Sequence, residues 1–340
     1  MNVREKLEQR EFKFLSDIAT KSANSKGRKL PEQQSDMRTD FQRDRDRILH
    51  SKAFRRLKHK TQVFLSPFDD HFRTRLTHTL EVSQIGRSIA RALDLNEDLV
   101  EAIALGHDLG HTPFGHCGEG VLDELVPGGF NHNIQSVRVV EIIEHLNLCQ
   151  ETIEGIMTHS WGYTPTTPEG KVVQLADKIA YINHDIEDSI RAGVISENDL
   201  PKDCIEYFSP VQSKRLSKMI HEIINNSAGK ADIAMSDEAW AYTTKLRKWM
   251  FDNVYNDTST AKLEENKARG VIRDLYNYYS NMLQDMKICS DIKIPRVVTD
   301  YISGMTDRYA VERYKELFIP TGLKCGTKDD NLFKLANLAQ

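Results

Sequence analysis

The stretch KVVQLADKIAYINHDIEDSI (residues 171–190) spaces its apolar side chains as a helix does, not as a strand. Leu175, Ile179, Ile182, Ile186 and Ile190 mark one side. Asp177, Tyr181, His184, Asp185 and Asp188 fall at i, i+4, i+7, i+8 and i+11, a polar stripe on another face. Val172, Val173 and Ala176 make the helix start apolar nearly all round. A carboxylate at Asp177 is therefore expected to be partly buried, and a buried carboxylate needs a partner or a metal. A solvated acidic stripe is the plainer alternative; the apolar density around Asp177 favours a site.

The same period recurs along the chain. THTLEVSQIGRSIARAL places Leu80, Ile85, Ile89 and Leu93 near one face. NEDLVEAIALG reads as a short apolar helix from an Asn or Asp cap to Gly106. HNIQSVRVVEIIEHL, VQSKRLSKMIHEIINN, DEAWAYTTKLRKWMFDNVY and PRVVTDYISGMTDRYAVERYKELF continue the pattern, the last with Pro295 at its start. Few segments alternate as strands, and neither GxGxxG nor GxxxxGK[ST] is present. The fold class expected is all-α. Residues 1–36 are expected as a flexible or helical lead-in, with KSANSKGRKLPEQQSD (21–36) as loop. Residues 37–230 would form the helical core that carries the site, and 231–340 a helical region packed on it. SWGYTPTTPEG (160–170), with two prolines and two glycines, reads as a turn-rich connection.

Over 340 residues the formal charge is −4, so the whole molecule does not advertise nucleic-acid binding. Basic charge is concentrated at 38–60, where nine Lys or Arg face three Asp; this is either a solvated helix face or a positive wall for a polyanion. Cys117, Cys149, Cys204, Cys289 and Cys325 are odd in number, scattered and without CxxC spacing, which argues for reduced thiols. The start MNVREKLEQREFKF has no apolar core of a signal peptide, and no run reaches membrane-spanning length, so a soluble cytoplasmic protein with no membrane partner is expected.

HDLGHTPFGHCGE (107–119) concentrates three histidines, two carboxylates and three glycines with little to fill a core. Helix neighbours point about 100° apart, so His107 and Asp108 converge only where the helix unwinds, and Gly106 and Gly110 permit that. An imidazole and a carboxylate side by side suit a borderline divalent metal. His78, near the start of its helix, would be an ordinary histidine if met alone.

The order His78, His107–Asp108, Asp177 resembles the signature of the HD-domain metal-dependent phosphohydrolases. RTRLTHTLEV, HDLGHTPFGHCGE, FNHNIQS, ADKIAYINHDIED and DYISGMTDRYA are similar, more narrowly, to the dGTPase-like deoxynucleoside triphosphate triphosphohydrolases, from about residue 36 to about 317. The resemblance implies an HD-domain helical core with additional C-terminal helices. It implies one divalent metal ion (Mn, Mg, Co, Ni, Fe or Zn) on His78, His107, Asp108 and Asp177. The activity it implies is attack at the α-phosphate of dGTP or another dNTP, releasing deoxynucleoside and inorganic triphosphate. His116 matches the family's catalytic histidine and Glu119 the acid that orients it, with His111 and His132 close to the α-phosphate. Arg75 and Lys178 match phosphate-binding residues, Gln62 and Asp185 match partners of the sugar 3′ hydroxyl, and Tyr181 matches a ring beneath the deoxyribose. Arg55 and Arg56 take no assignment, and His159 is a further pocket residue. A homo-oligomer, tetramer or hexamer, is the family's habit. The alternatives are another HD-type phosphohydrolase, acting on nucleoside monophosphates or cyclic nucleotides, or a protein binding single-stranded nucleic acid with a regulatory HD site.

Overall fold

A computed structural model describes residues 1–62, 71–255, 260–287, 290 and 293–320. The described residues form α-helices with no strand; their only β-pairs are isolated bridges, Arg28 with Cys149 and Thr61 with Thr74. In chain order the helices are α1 (Val3–Phe14), α2 (Asp40–His50), α3 (Lys52–Arg56), α4 (Arg75–Ala92), α5 (Glu97–Gly106), α6 (Gly115–Leu125), α7 (His132–Arg138) and α8 (Gln150–Thr158). There follow α9 (Pro168–Arg191), α10 (Lys202–Phe208), α11 (Gln212–Ser227), α12 (Asp237–Met250), α13 (Thr260–Met286), α14 (Ile294–Ser303) and α15 (Asp307–Phe318). None is long and apolar enough to cross a membrane.

Local chemistry sets the ends of the helices that matter. The Asn96 side chain accepts from the N–H groups of Asp98 and Leu99, satisfying donors that α5 cannot pair itself. Thr74 caps α4 by accepting from Thr77 N–H, and Thr167 caps α9 by accepting from Gly170 N–H, with Pro168 at the first helical position.

The main core packs α4, α5 and α9 through Val82, Ile85, Ile89, Leu99, Ile103, Val172, Ala176 and Ile179, all 1% exposed or less. Burial of each large aliphatic side chain contributes about 1.5–3 kcal/mol. A second cluster joins α6 to α13, α14 and α15 around Leu122, Ile272, Leu275 and Ile302. The third lies among α2, α3, α5 and α8, around Ile48, Leu57, Ala102 and Ile156. Leu80, expected on the buried face of α4, is 48% exposed. The face that meets α5 and α9 runs through Val82, Ile85, Gly86, Ile89 and Ala90, so Leu80 falls outside it.

The segment 21–36, expected as a flexible loop, contains one short turn of helix and is tied to the core. Arg28, 5% exposed, ion-pairs with the fully buried Asp44 of α2 and donates to Asp40 O at 2.9 Å. Asp44 also accepts from Cys149 N–H at 2.8 Å and the Thr152 hydroxyl at 2.7 Å. Much of the basic charge at 38–60 is likewise paired: Arg43 and Arg47 meet Glu32, and Arg45 meets Asp98. Cys149 and Cys204 are buried free thiols, Cys117 Sγ lies 3.2 Å from Glu265 O, and Cys289 and Cys325 lie outside the described residues.

Candidate active site

The start of α4, the end of α5 and the middle of α9 converge on one buried spot. His78 comes from the first turn of α4, His107 and Asp108 from the end of α5, and Asp177 from the middle of α9. His78 Nε2 lies 3.0 Å from Asp177 Oδ1. His107 Nε2 lies 3.4 Å from Asp108 Oδ1 and 3.7 Å from Asp177 Oδ1. The Nδ1 of His107 meets Ala104 O at 2.6 Å, which puts the proton on Nδ1 and the lone pair on Nε2. That Nε2 is buried with no hydrogen-bond partner. A lone pair held among two carboxylates and a second imidazole, its ring fixed by a backbone carbonyl, suits a divalent metal.

His78 is oriented differently from His107. Its Nδ1 faces His184 Nδ1 at 3.4 Å, and His184 Nε2 faces Glu81 Oε2 at 3.3 Å. Burial, with His78 and Arg73 nearby, keeps His184 neutral by pushing its pKa well down. A neutral ring has one proton to place. Donating it from Nε2 to Glu81 leaves Nδ1 to accept from His78 Nδ1–H, and so leaves His78 Nε2 with its lone pair toward Asp177. Arg73 holds Glu81, Glu187 and Asp188 in place behind this relay.

A second histidine group adjoins the first. His111 Nε2 is 3.3 Å from Asp108 Oδ1, and its ring stacks on His132 with centroids 3.9 Å apart. Glu119 is the hub: its Oε1 accepts from both the N–H and the Nδ1 of His132 at 2.8 Å, and its Oε2 lies 3.3 Å from His116 Nδ1. Desolvation would raise the Glu119 carboxyl, but His132, His116 and His111 drive it well below its usual range. Burial depresses His132, and Glu119 overrides that to raise it. His132 Nε2 sits 3.2 Å from the Nε2 of His159, whose own Nδ1 is spent on Ile156 O at 2.7 Å. One of the facing nitrogens must carry a proton. Burial among His107 and His132 drops His159 to about 3, so the proton belongs to His132. His116 is 76% exposed, with its Nε2 turned from Glu119.

Arg75, 2% exposed, donates from Nη1 to Asp108 Oδ2 at 2.8 Å, while its Nε and Nη2 are buried without a partner. Gln62 lies beside the Gly115 turn, its side-chain oxygen buried without a partner. Asp185 is 3% exposed, and burial next to Asp188 pushes its carboxyl well up. Tyr181 is half-buried near Arg247. Lys178 lies with its ammonium 4.0 Å above the Trp161 ring and 5.5 Å from Trp240, and burial lowers it to about 8. It does not reach the histidine groups through any ion pair or hydrogen bond among the described contacts.

The HD domain matches residues 75–182, a span that runs from Arg75 through all four converging residues. The phosphohydrolase-associated domain matches residues 233–316. A deoxyguanosinetriphosphate triphosphohydrolase-like protein of Caldanaerobacter subterraneus subsp. tengcongensis is 54% identical over 330 residues, covering 94% of this chain and 97% of that one. The chain belongs to the deoxyguanosinetriphosphate triphosphohydrolase-like family. Family members of the same description from Desulfatibacillum aliphaticivorans and Clostridium tetani are 47% and 46% identical, each covering 94% of this chain. A hypothetical protein from Aquifex aeolicus of solved structure is 20% identical, covers 86% of this chain and 76% of that one, and superposes with a TM-score of 0.45. As an HD phosphohydrolase of the dGTPase-like family the chain is a hydrolase of a metal-dependent class, with His and Asp groups placed to hold the ion.

Sequence reasoning passed over several residues that the fold brings here. His184 was placed on the stripe without its partners, because Glu81 and His78 lie on another helix about a hundred residues away. Trp161, Trp240 and Arg247, which surround Lys178, come from a loop and from α12. Their spacing carries no signal.

Proposed function

We propose that the protein hydrolyses deoxynucleoside triphosphates, dGTP and other dNTPs, at the α-phosphate to deoxynucleoside and inorganic triphosphate. The observation that carries this reading is the contact between the two groups. His78, His107, Asp108 and Asp177 adjoin the His111–His132–Glu119–His116 network where Asp108 meets His111, and Asp108 also accepts from Arg75, whose Nε and Nη2 remain unpaired. When bound by those four residues, a divalent metal supplies Lewis-acid charge at the phosphate and acidifies water.

The chain's own residues have distinct parts in the reaction. The unpaired Nε and Nη2 of Arg75 offer a planar fork to phosphate oxygens. The protonated His132 adds positive charge on the buried side, and the neutral His111 stacked on it offers a hydrogen bond near the α-phosphate. Glu119 orients His116 through Nδ1, so that Nε2 delivers a proton to the leaving 5′ oxygen as water's oxygen bonds to Pα and the Pα–O5′ bond breaks; the proton released by that water passes to solvent, from which the exposed His116 is reprotonated. Gln62 and the raised carboxyl of Asp185 present an acceptor and a donor suited to the 3′ hydroxyl. The ring of Tyr181 against C2′ gives a steric reason to prefer deoxyribose. Lys178 serves the phosphates by leaving its indole platform for a stronger anionic partner. The same family resemblance supports a cytoplasmic homo-oligomer, tetrameric or hexameric, with single-stranded nucleic acid as a further ligand.

The test is chromatographic product analysis with each dNTP, their mixture and GTP, in Mg, Mn or Co. Deoxynucleoside with intact triphosphate, little product from GTP, and loss of both in His116→Ala with metal content retained are expected. No triphosphate from any dNTP or the mixture would refute the reading. Phosphate from monophosphates, or linearised cyclic nucleotide, would assign another HD chemistry.

A further inference from the structure

Segments far apart in the chain meet directly behind His116. The strap Lys60–Gln62 runs beside the start of α4, where Arg75 N–H donates to Lys60 O at 2.9 Å. Asp307, the first residue of α15, reaches this strap from the C-terminal region and is 8% exposed. Its Oδ2 accepts from Thr61 N–H at 2.9 Å and from the Thr61 hydroxyl. Its Oδ1 accepts from Phe114 N–H at 2.9 Å. One carboxylate thus joins positions separated by 246 and 193 residues.

The Phe114 end of this bridge is strained. Phe114 sits at φ 63°, ψ 25°, in the left-handed region that disfavours residues with a Cβ, and Gly115 follows at φ 56°. The two residues turn the chain so that α6 opens with His116 in its first turn. They also press the turn onto its neighbours: a Cβ on Gly115 would stand 3.2 Å from both Arg75 Nη2 and Gln62 O. A conformation of this kind persists only where the surroundings over-determine it. Charge-assisted hydrogen bonds to backbone N–H groups are among the stronger ways to do so. Lys60 crosses the same joint, its buried ammonium donating to His111 O and, at 2.7 Å, to Ser303 O.

We propose that Asp307 is a positioning residue whose carboxylate ties the left-handed turn before His116 to the strap that carries Gln62. The C-terminal helices thereby set the register of the active site. The inference rests on the reaction proposed above for its kinetic readout, and on amide exchange for a readout that needs no substrate. The plainer role for Asp307, an acidic residue stabilising the start of α15, is separated by a control. Thr306 caps the same helix end by accepting from Tyr309 N–H at 3.2 Å, and Thr306→Ala weakens that end without touching either oxygen of Asp307.

In Asp307→Asn an amide NH2 must face a backbone or hydroxyl donor. The variant is expected to lower kcat by about 10- to 100-fold, the scale of an ångström-sized misplacement of a catalytic group. Mn2+ affinity should hold, because none of the four proposed ligands touches Asp307. The amides of Phe114 and Thr61 should exchange faster than in the parent protein, and Thr306→Ala should keep its kcat and their protection. Unchanged kcat and unchanged Phe114 protection in Asp307→Asn would overturn the proposal, as would an equal loss in Thr306→Ala. If the parent protein releases no triphosphate, the proposed reaction fails, while the exchange of Phe114 still decides for or against the bridge.

Discussion

Replacing His184 by Phe removes one acceptor from the relay behind His78 and adds a little volume. His78 is 1% exposed, and its Nδ1–H then points at carbon. An unsatisfied buried donor costs about 1–3 kcal/mol. The ring can avoid that cost by moving its proton to Nε2, which lies 3.0 Å from Asp177 and welcomes it. Either way the lone pair of His78 is no longer held toward the other three residues. Loss of such an outer partner weakens metal binding by about 10- to 100-fold, or about 1.4–2.8 kcal/mol. The assay is calorimetric titration of chelator-treated protein with Mn2+, backed by the shift in melting temperature that saturating Mn2+ produces. His184→Gln, which retains an acceptor, should recover part of the affinity. Glu81→Gln should cost less than His184→Phe, because Glu81 is 38% exposed and water can replace it. Mn2+ affinity in His184→Phe within about twofold of the parent protein, less than 0.5 kcal/mol or so, would refute the relay.

Arg28→Met strands the fully buried Asp44 with only its Cys149 and Thr152 donors, and should cost about 3 kcal/mol or more in urea unfolding. Arg28→Met with Asp44→Leu should cost less than the single change; an additive loss would contradict the pairing. Gly110→Ala would put a Cβ 2.2 Å from Ser136 N and 2.5 Å from His132 O, both backbone atoms. It should destabilise by about 3 kcal/mol and displace α7 with His132; a melting temperature near that of the parent protein would rule this out. Burial, with Arg56 and Arg75 nearby, lowers Lys60 to about 7, whereas an unfolded lysine holds its proton to about pH 10.4. Between those limits the unfolded chain binds more protons, so this group's contribution to stability rises with pH. The stability difference between the parent protein and Lys60→Met should therefore grow in favour of the parent from about pH 7 to about pH 10; parallel profiles would disprove it.

The helices of the core were readable because burial acts through period. Val172, Val173, Ala176 and Ile179 mark α9 in the sequence and are fully buried in it. Caps were readable for the same local reason: Asn96 satisfies donors two and three residues away. The facing of α4 was misread at Leu80 because apolar spacing alone leaves several stripes open, and packing against α5 and α9 chooses among them. The tie of residues 21–36 to the core was hidden altogether. Arg28 in a polar run looks like any solvated arginine until Asp44 meets it. In the candidate site the four converging residues carried a signal, since two of them adjoin and a third sits on an otherwise apolar turn. Asp307 lay within a stretch the family resemblance singled out, yet nothing in that stretch says which backbone groups it will meet. Contacts made across two hundred residues leave no periodic trace in either partner.

The bridge at Asp307 also bears on when, during synthesis, a working site can exist. The ribosome releases the chain from its N-terminal end, so His78, His107, Asp108 and Asp177 emerge and can fold long before Asp307 does. A growing chain stalled between α9 and α15 would hold the converging histidines and carboxylates but would lack the acceptor for Phe114 N–H. Its turn before His116 would be free to relax out of the left-handed region. The site would then close only once α15 has emerged and docked, and a chain stalled before it would carry its histidines without bringing them to bear.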